Sequence, residues 1–468
     1  MHVGADRDVP TEDSDVFGMG MHRGGDAHGM NMHRGGDAHG KDTQVSDWRR
    51  DVIWWAVYPL GFTDAPARLD PRAPVAHRLG RLENWLDYLI ELGCNGLVLG
   101  PIFRSESHGY DTLDYFQMDP RLGDDSDFDA LVEACHSRGI KVVLDGVFNH
   151  VSANYPALRE ALAQGPQSKF ADMFHIDFTT TPPTRLNFEG SDDLVRLNHS
   201  SPQVRELVTR VMMHWCERGA DGWRLDAAYA VDPEFWAPVL TSVRERFPQL
   251  YIYGEVIHGD YAQIVHESGM DAVTEYELWK ACWSSLATEN FYELEWTLGR
   301  HNEMLDDFRP FTFIGNHDVT RIATKVGADK AILAAVVLGT VGGTPCVYYG
   351  DEQAFRGEKY DRPGGDAEVR QPMPDRPDEL AGFGLPTYRA YQAILALRRR
   401  HAWLPDARTE VESITNPRIV YRAHDPGNAD NWVRVTLDVT DTPTASVVDS
   451  SGELFHWPQT AHARPSRS

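Results

Sequence analysis

From Val52 onward the chain alternates two hydrophobic rhythms, short runs rich in β-branched and aromatic residues and longer stretches in which apolar residues recur at i, i+3, i+4 and i+7. The short runs are VIWWAVYP (52–59), NGLVLGP (95–101), IKVVLDGVF (140–148), DGWRLD (221–226), YIYGEV (251–256), DAVTEY (271–276), FTFIGN (311–316) and TPCVYYGD (344–351). Between them, segments such as RLENWLDYLIELG, SDFDALVEACHSRG and SPQVRELVTRVMMHWCERG carry the helical period and place a Gly at or near the C-cap. Eight strands separated by helices predict an α/β fold, a TIM (β/α)8 barrel with its helices packed outside.

The rhythm breaks in three places. Residues 151–199, rich in Pro, Thr, Asp and Asn, read as a short inserted lobe after strand three of a catalytic barrel spanning 46–400. Beyond Arg400, the runs ARTEVES, RIVYRAH, WVRVTLDV and ASVVDS are punctuated by Asn-Pro, Pro-Gly and Ser-Gly turns. They predict a small all-β, β-sandwich-like C-terminal domain over 401–468, too short to bury a core without leaning on the barrel. Residues 1–45 hold few large apolar groups and repeat MHRGGDAHG from Met21 and again from Met32. That tail reads as solvated and low in complexity; its His22, His28, His33 and His39, beside Asp26 and Asp37, are of the type that binds transition metals.

Composition narrows the partners. A formal net charge of −25 repels nucleic-acid phosphates and anionic membranes, so neither is expected as a partner. No stretch approaches the ~20 apolar residues that span a bilayer, and the polar N-terminus lacks the apolar region of a secretory signal, so a cytoplasmic location is expected. The five cysteines, Cys94, Cys135, Cys216, Cys282 and Cys346, are odd in number and set among apolar neighbours, which reads as reduced core thiols.

In a barrel of this kind catalytic groups stand at the C-terminal ends of the strands, so polar residues that close an apolar run are the candidates. IKVVLDGVFNH closes with Asn149 and His150 after Asp145, DGWRLD with Arg224 and Asp226, YIYGE with Glu255, and FIGNHD with Asn316, His317 and Asp318. Strand side chains alternate, so Arg224 and Asp226 share one face while Trp223 and Leu225 take the other. Three carboxylates and an arginine in one pocket suit glycoside chemistry, in which one carboxylate attacks the anomeric carbon and another protonates the leaving oxygen. Arg224 is expected to hold Asp226 ionised as nucleophile, and neighbouring negative charge with partial burial to keep Glu255 protonated as acid. Each residue taken alone also fits an ordinary ion pair at a barrel rim.

The runs DGVFNH, GWRLDAA, YGEV and FIGNHD resemble, in order, the four signature regions of the α-amylase family of glycoside hydrolases, and TPCVYYGDE resembles the segment around its eighth strand. The resemblance spans roughly Val52 to Arg400. It implies a retaining hydrolase of α-glucosidic bonds, above all the α-1,4 bonds of malto-oligosaccharides, working by double displacement through a covalent glycosyl-enzyme. It implies Asp226 as nucleophile, Glu255 as general acid/base, Asp318 as the carboxylate that grips the sugar hydroxyls, and Arg224 as the residue orienting the nucleophile. His150 and His317 are implied to hydrogen-bond the glucose ring, Tyr110 to stack beneath it, and Asp145 and Asn149 to support the site. Asp111 and Arg370 match residues that close the pocket in relatives acting at chain ends, beside a plainer reading as a surface aspartate and a loop arginine.

The chain also departs from that family. Many members bind calcium between barrel and lobe and carry a Lys-His pair after the nucleophile; here Ala227, Ala228, Tyr229 and Ala230 follow it, leaving Asn149 alone to favour calcium. No metal or cofactor is expected, and a carbohydrate is the expected partner. LVRLN, with Arg196 at its third position, and YGEVIHGDY lie nearer to cyclomaltodextrinases and neopullulanases, although their amino-terminal β domain is not seen. The alternatives are a transglycosylase using the same site and a catalytically silent glycan-binding barrel; oligomeric state cannot be read.

Overall fold

Each of the eight apolar runs forms a strand: β1 (Trp54–Val57), β2 (Gly96–Leu99), β3 (Lys141–Gly146), β4 (Gly222–Leu225), β5 (Tyr251–Gly254), β6 (Ala272–Val273), β7 (Phe311–Phe313) and β8 (Thr344–Tyr348). The computed structural model describes residues 47–362 and 364–458; the N-terminal tail with its histidine repeat lies outside the described residues. All pairings are parallel, in the order β6-β5-β4-β3-β2-β1-β8-β7. A parallel bridge from Thr274 to Phe311, with the Glu275 N–H donating to the Phe311 carbonyl at 3.0 Å, joins the two ends and closes the barrel. Closure satisfies the edge groups that an open sheet would leave unpaired.

Helices Asp125–Ser137, Pro202–Glu217, Pro233–Arg246 and Leu385–Arg400 lie among the connections, each with an apolar stripe buried. RLENWLDYLIELG departs from its expected period at the start: Leu79–Trp85 is a 3₁₀ helix, and Leu86–Leu92 alone is α-helical. The buried side chains Leu79, Leu82 and Trp85 recur every three residues, the period of a 3₁₀ turn. Two excursions rise from the C-terminal rim. A hairpin after β2 pairs Phe103–Ser105 with Thr112–Met118, and the lobe after β3 carries a three-stranded antiparallel sheet of His150–Ser152, Ser191–Arg196 and Asn187–Phe188.

The C-terminal segment is a single antiparallel meander, β9 (Arg408–Thr415), β10 (Arg418–Asp425), β11 (Asn428–Asp438), β12 (Thr444–Asp449) and β13 (Gly452–Trp457), in that order. This corrects the sandwich-like expectation: no second sheet is needed, because helices cover the apolar face. Ile419, Tyr421, Ala423, Val433, Val435 and Leu437 are buried, and the Tyr421 hydroxyl meets Thr340 Oγ1 at 2.6 Å on helix Ala328–Thr340. Every residue of that helix from Ala331 to Thr340 is buried, as for a helix apolar on all sides and covered on all sides. Arg398, also buried, donates to the carbonyls of Val341 and Gly343 at 2.7 and 2.6 Å just past the same helix.

Because Tyr421 belongs to the core shared by barrel and meander, Tyr421→Ala is expected to lower the unfolding free energy by about 3–5 kcal/mol, and Tyr421→Phe by about 1 kcal/mol. Urea denaturation checks both, and a single transition should be retained in each variant.

Candidate active site

Parallel register makes the first contact of the site. Arg224 on β4 lies opposite Asp145 on β3 and Tyr253 on β5. Pleating sends Trp223 the other way, where its Nε1 reaches Cys216 Sγ on helix Pro202–Glu217 at 3.3 Å. Arg224 Nη1 donates to both oxygens of Asp145 at 2.7 Å and to Asp226 Oδ1 at 3.0 Å, while Nη2 lies 2.8 Å from Glu255 Oε1. Asp226 and Glu255 are the first residues past β4 and β5, so the short strands end where these carboxylates meet one guanidinium. All four side chains are buried.

Glu255 is held from two further sides. Its Oε2 accepts the Ala227 N–H at 3.0 Å, made possible by a left-handed turn at Ala227 with φ of 46°. Its Oε1 accepts the Tyr276 hydroxyl at 3.1 Å; Asn316 Nδ2 donates to that phenol oxygen at 3.0 Å, and Asn316 Oδ1 accepts the Asp318 N–H at 2.8 Å. Asp318, beyond β7, faces Arg370 Nη2 at 2.7 Å, His317 Nε2 at 2.9 Å and Lys359 Nζ at 4.0 Å. The Tyr110 hydroxyl donates to Asp145 Oδ2 at 3.0 Å and also meets His317 Nε2, and the two rings stack 5.4 Å apart.

The charges divide unevenly. Burial, reinforced by Glu255, Asp145 and Asp318, outweighs the pull of Arg224 and raises Asp226 well above the usual carboxylate range. Arg224 favours the ionised form of Asp226, but its one positive charge is shared by three buried carboxylates, and Asp226 receives a single contact from it. Burial also opposes ionisation of Asp318, yet His317, Arg370 and Lys359 together hold it well below that range. Burial pushes His150 down to about 3, so it is a neutral imidazole. Its Nδ1 meets Asn149 Nδ2 at 3.1 Å, its ring stacks on Phe188 of the lobe at 4.6 Å, and its Nε2 has no partner among the described residues.

These groups border a cleft of about 320 Å³ whose walls include Tyr110, His150, Asp226, Glu255, Tyr276 and Asp318. Phe188 and Glu189 bring the lobe to it, and the Tyr229 hydroxyl donates to Glu189 Oε1 at 2.7 Å. Asp111 is not brought to the cleft wall: its carboxylate accepts the Ser107 N–H at 3.0 Å and the Ser107 hydroxyl at 2.5 Å, which shapes the hairpin loop. Arg370 acts through Asp318 and the His317 carbonyl, 3.0 Å away. Asn149 Oδ1 is buried without a partner, but among the described residues the one group of three clustered His, Cys, Asp or Glu ligands is the surface set His77, Asp124 and Asp127.

Tyr276, Tyr229, Glu189, Phe188 and Lys359 are site residues that motif reading does not single out. Tyr276 closes the sixth apolar run, so the rule applied to the other runs reaches it; the others sit in the lobe or in the connections after β4 and β8, without such a mark. The five cysteines are buried and unpaired, and no helix among the described residues is long and apolar enough to cross a membrane.

A sequence profile of the alpha amylase catalytic domain matches residues 57–403. A cyclomaltodextrinase of Geobacillus thermopakistaniensis is 32% identical over 385 residues, 76% of this chain and 64% of its own length. An intracellular maltogenic amylase of Bacillus subtilis is 31% identical over 344 residues, 67% of this chain and 57% of its own length. The chain thus spans somewhat less than two thirds of each relative. An acarbose-soaked debranching enzyme of Nostoc punctiforme superposes with a TM-score of 0.69 at 26% identity, over 86% of this chain and 92% of that one.

Replacing Arg224 by Met strands Asp145, Asp226 and Glu255 without a counter-charge, and is expected to cost about 3–5 kcal/mol of stability at pH 7. The loss should shrink toward pH 5 as protons replace the missing cation, which urea titrations at the two pH values measure.

Proposed function

The chain belongs to the α-amylase family, and on that basis we propose that it is a retaining glycoside hydrolase acting on the α-glucosidic bonds of malto-oligosaccharides. The observation that carries the reading is the single guanidinium of Arg224 gathering Asp226 and Glu255 at one barrel rim. Asp226 attacks the anomeric carbon, the bond to the leaving sugar breaks, and Glu255 gives its proton to the departing oxygen. Water then gives a proton to Glu255 and releases the sugar from its ester with Asp226. Asp318, held below the usual carboxylate range by His317, Arg370 and Lys359, takes the ring hydroxyls, and the neutral His150 offers its unpartnered Nε2 to the same sugar. The α-1,4 preference draws support from relatives named cyclomaltodextrinase and maltogenic amylase, and a cytoplasmic location from one named intracellular. A cleft of about 320 Å³ lies at the small end of ligand sites, which favours short substrates over starch granules.

Asp226→Asn is expected to lower kcat on p-nitrophenyl α-maltoside by at least about a thousandfold without altering the melting temperature, because nucleophile and acid act as one unit. Comparable rates in both proteins would defeat the catalytic assignment. A product profile across maltotriose, cyclodextrin, pullulan and soluble starch is expected to show hydrolysis of the first two ahead of the polymers; longer oligosaccharides appearing early would point to glycosyl transfer instead.

The pH dependence follows from the raised proton affinity of Asp226. A nucleophile must be ionised, so the active fraction falls as pH drops through a value above the ordinary 3.8. The acid-side limb of kcat/KM is expected above that pH, and a limb at or below it contradicts the assignment.

A further inference from the structure

Tyr276 occupies a place that the double-displacement steps leave unexplained. It lies past β6, on the wall between the cleft and an interior cavity of about 50 Å³ beneath the carboxylates. Phe313 and Trp279 meet its ring edge-on at 4.9 and 5.8 Å, which fixes the direction of the hydroxyl. The hydrogen-bond sense is fixed as well. The main-chain N–H of Asp318 can only donate, so the Asn316 atom that receives it is the carbonyl oxygen, and the amide nitrogen must face Tyr276. That nitrogen donates to the phenol oxygen. The phenol hydrogen is left to point onward to Glu255 Oε1.

Resting on the reading of Glu255 as the acid/base, we propose that Tyr276 is a positioning residue that sets both the orientation and the proton affinity of Glu255. A directed O–H donor stabilises the carboxylate over the acid, making Glu255 a readier proton giver in the first step. It also holds one oxygen so that the other, against the Ala227 N–H, is presented to the leaving group. The charged and titratable groups facing Glu255 are Asp145 from β3, Arg224, Asp226 and Tyr229 from β4 and its loop, Tyr276 from beyond β6 and Asp318 from beyond β7. Tyr276→Phe removes the phenol donor to Glu255 and leaves the ring packing in place.

The test is the pH profile of kcat/KM on p-nitrophenyl α-maltoside for the full chain and for Tyr276→Phe. The basic limb, set by the acid, is expected to move up by about one pH unit when the donor is lost. kcat at the optimum is expected to fall about tenfold, with KM within about twofold and the melting temperature unchanged. Asn316→Ala, which frees the phenol to rotate, should move the limb the same way by less. A basic limb that stays in place or moves down in Tyr276→Phe, whatever happens to kcat, reduces Tyr276 to packing and overturns the proposal. Glu255→Gln is measured in parallel: if it loses activity while the Tyr276→Phe limb stays in place, only the role of Tyr276 fails. If Glu255→Gln keeps the parent rate and both limbs, the acid/base reading fails and the proposal with it.

Discussion

One buried guanidinium shared among three buried carboxylates is the constraint on which the rest of the site depends. Arg224 lies within 3.0 Å of Asp145, Asp226 and Glu255, and all four are buried. Desolvating such a group costs several kcal/mol per ion, so the cluster persists only where packing and further hydrogen bonds hold it. The parallel register of β3, β4 and β5 supplies the first, and the Ala227 amide and Tyr276 hydroxyl supply the second. The barrel therefore does more than display residues. Its closure forces acids that repel one another to share a single counter-ion.

The opposite wall of the cleft follows a different arrangement. Asp318 meets Arg370, His317 and Lys359, and the two from the loop after β8, Arg370 and Lys359, are shared with Asp366. Burial with a carboxylate surplus on one side, and cations that overcome burial on the other, leave Asp226 with a raised proton affinity and Asp318 with a lowered one. Two aspartates thus acquire different chemistry from their surroundings, as a division of labour between acids requires.

Much of this was legible in the sequence. The eight apolar runs are the eight strands, and the polar residues that close four of them converge at one rim. What was hidden depends on three-dimensional sharing. GWRLD shows that Arg224 and Asp226 lie on one face, but not that Asp145 and Glu255 divide the same charge. Asp111 directly follows Tyr110, yet the hairpin turns its carboxylate to Ser107, a local hydrogen bond that outcompetes the cleft. The strand Gly452–Trp457 carries little sequence signal because only Phe455 and Trp457 mark its buried face. The meander packs on helices rather than on a second sheet because helix Ala328–Thr340 is apolar on its outer side too, a property that hydrophobic runs alone do not orient.

The left-handed turn at Ala227 carries a consequence for how the site can change through descent. The amide that braces Glu255 belongs to the main chain, so no side-chain replacement at that position deletes it, proline excepted. What replacement can alter is the ease of the turn: glycine, asparagine or aspartate would adopt it readily, whereas a β-branched residue would resist it. Mutational drift at this position is thereby channelled toward small or turn-forming residues, while the brace itself is inherited with the backbone.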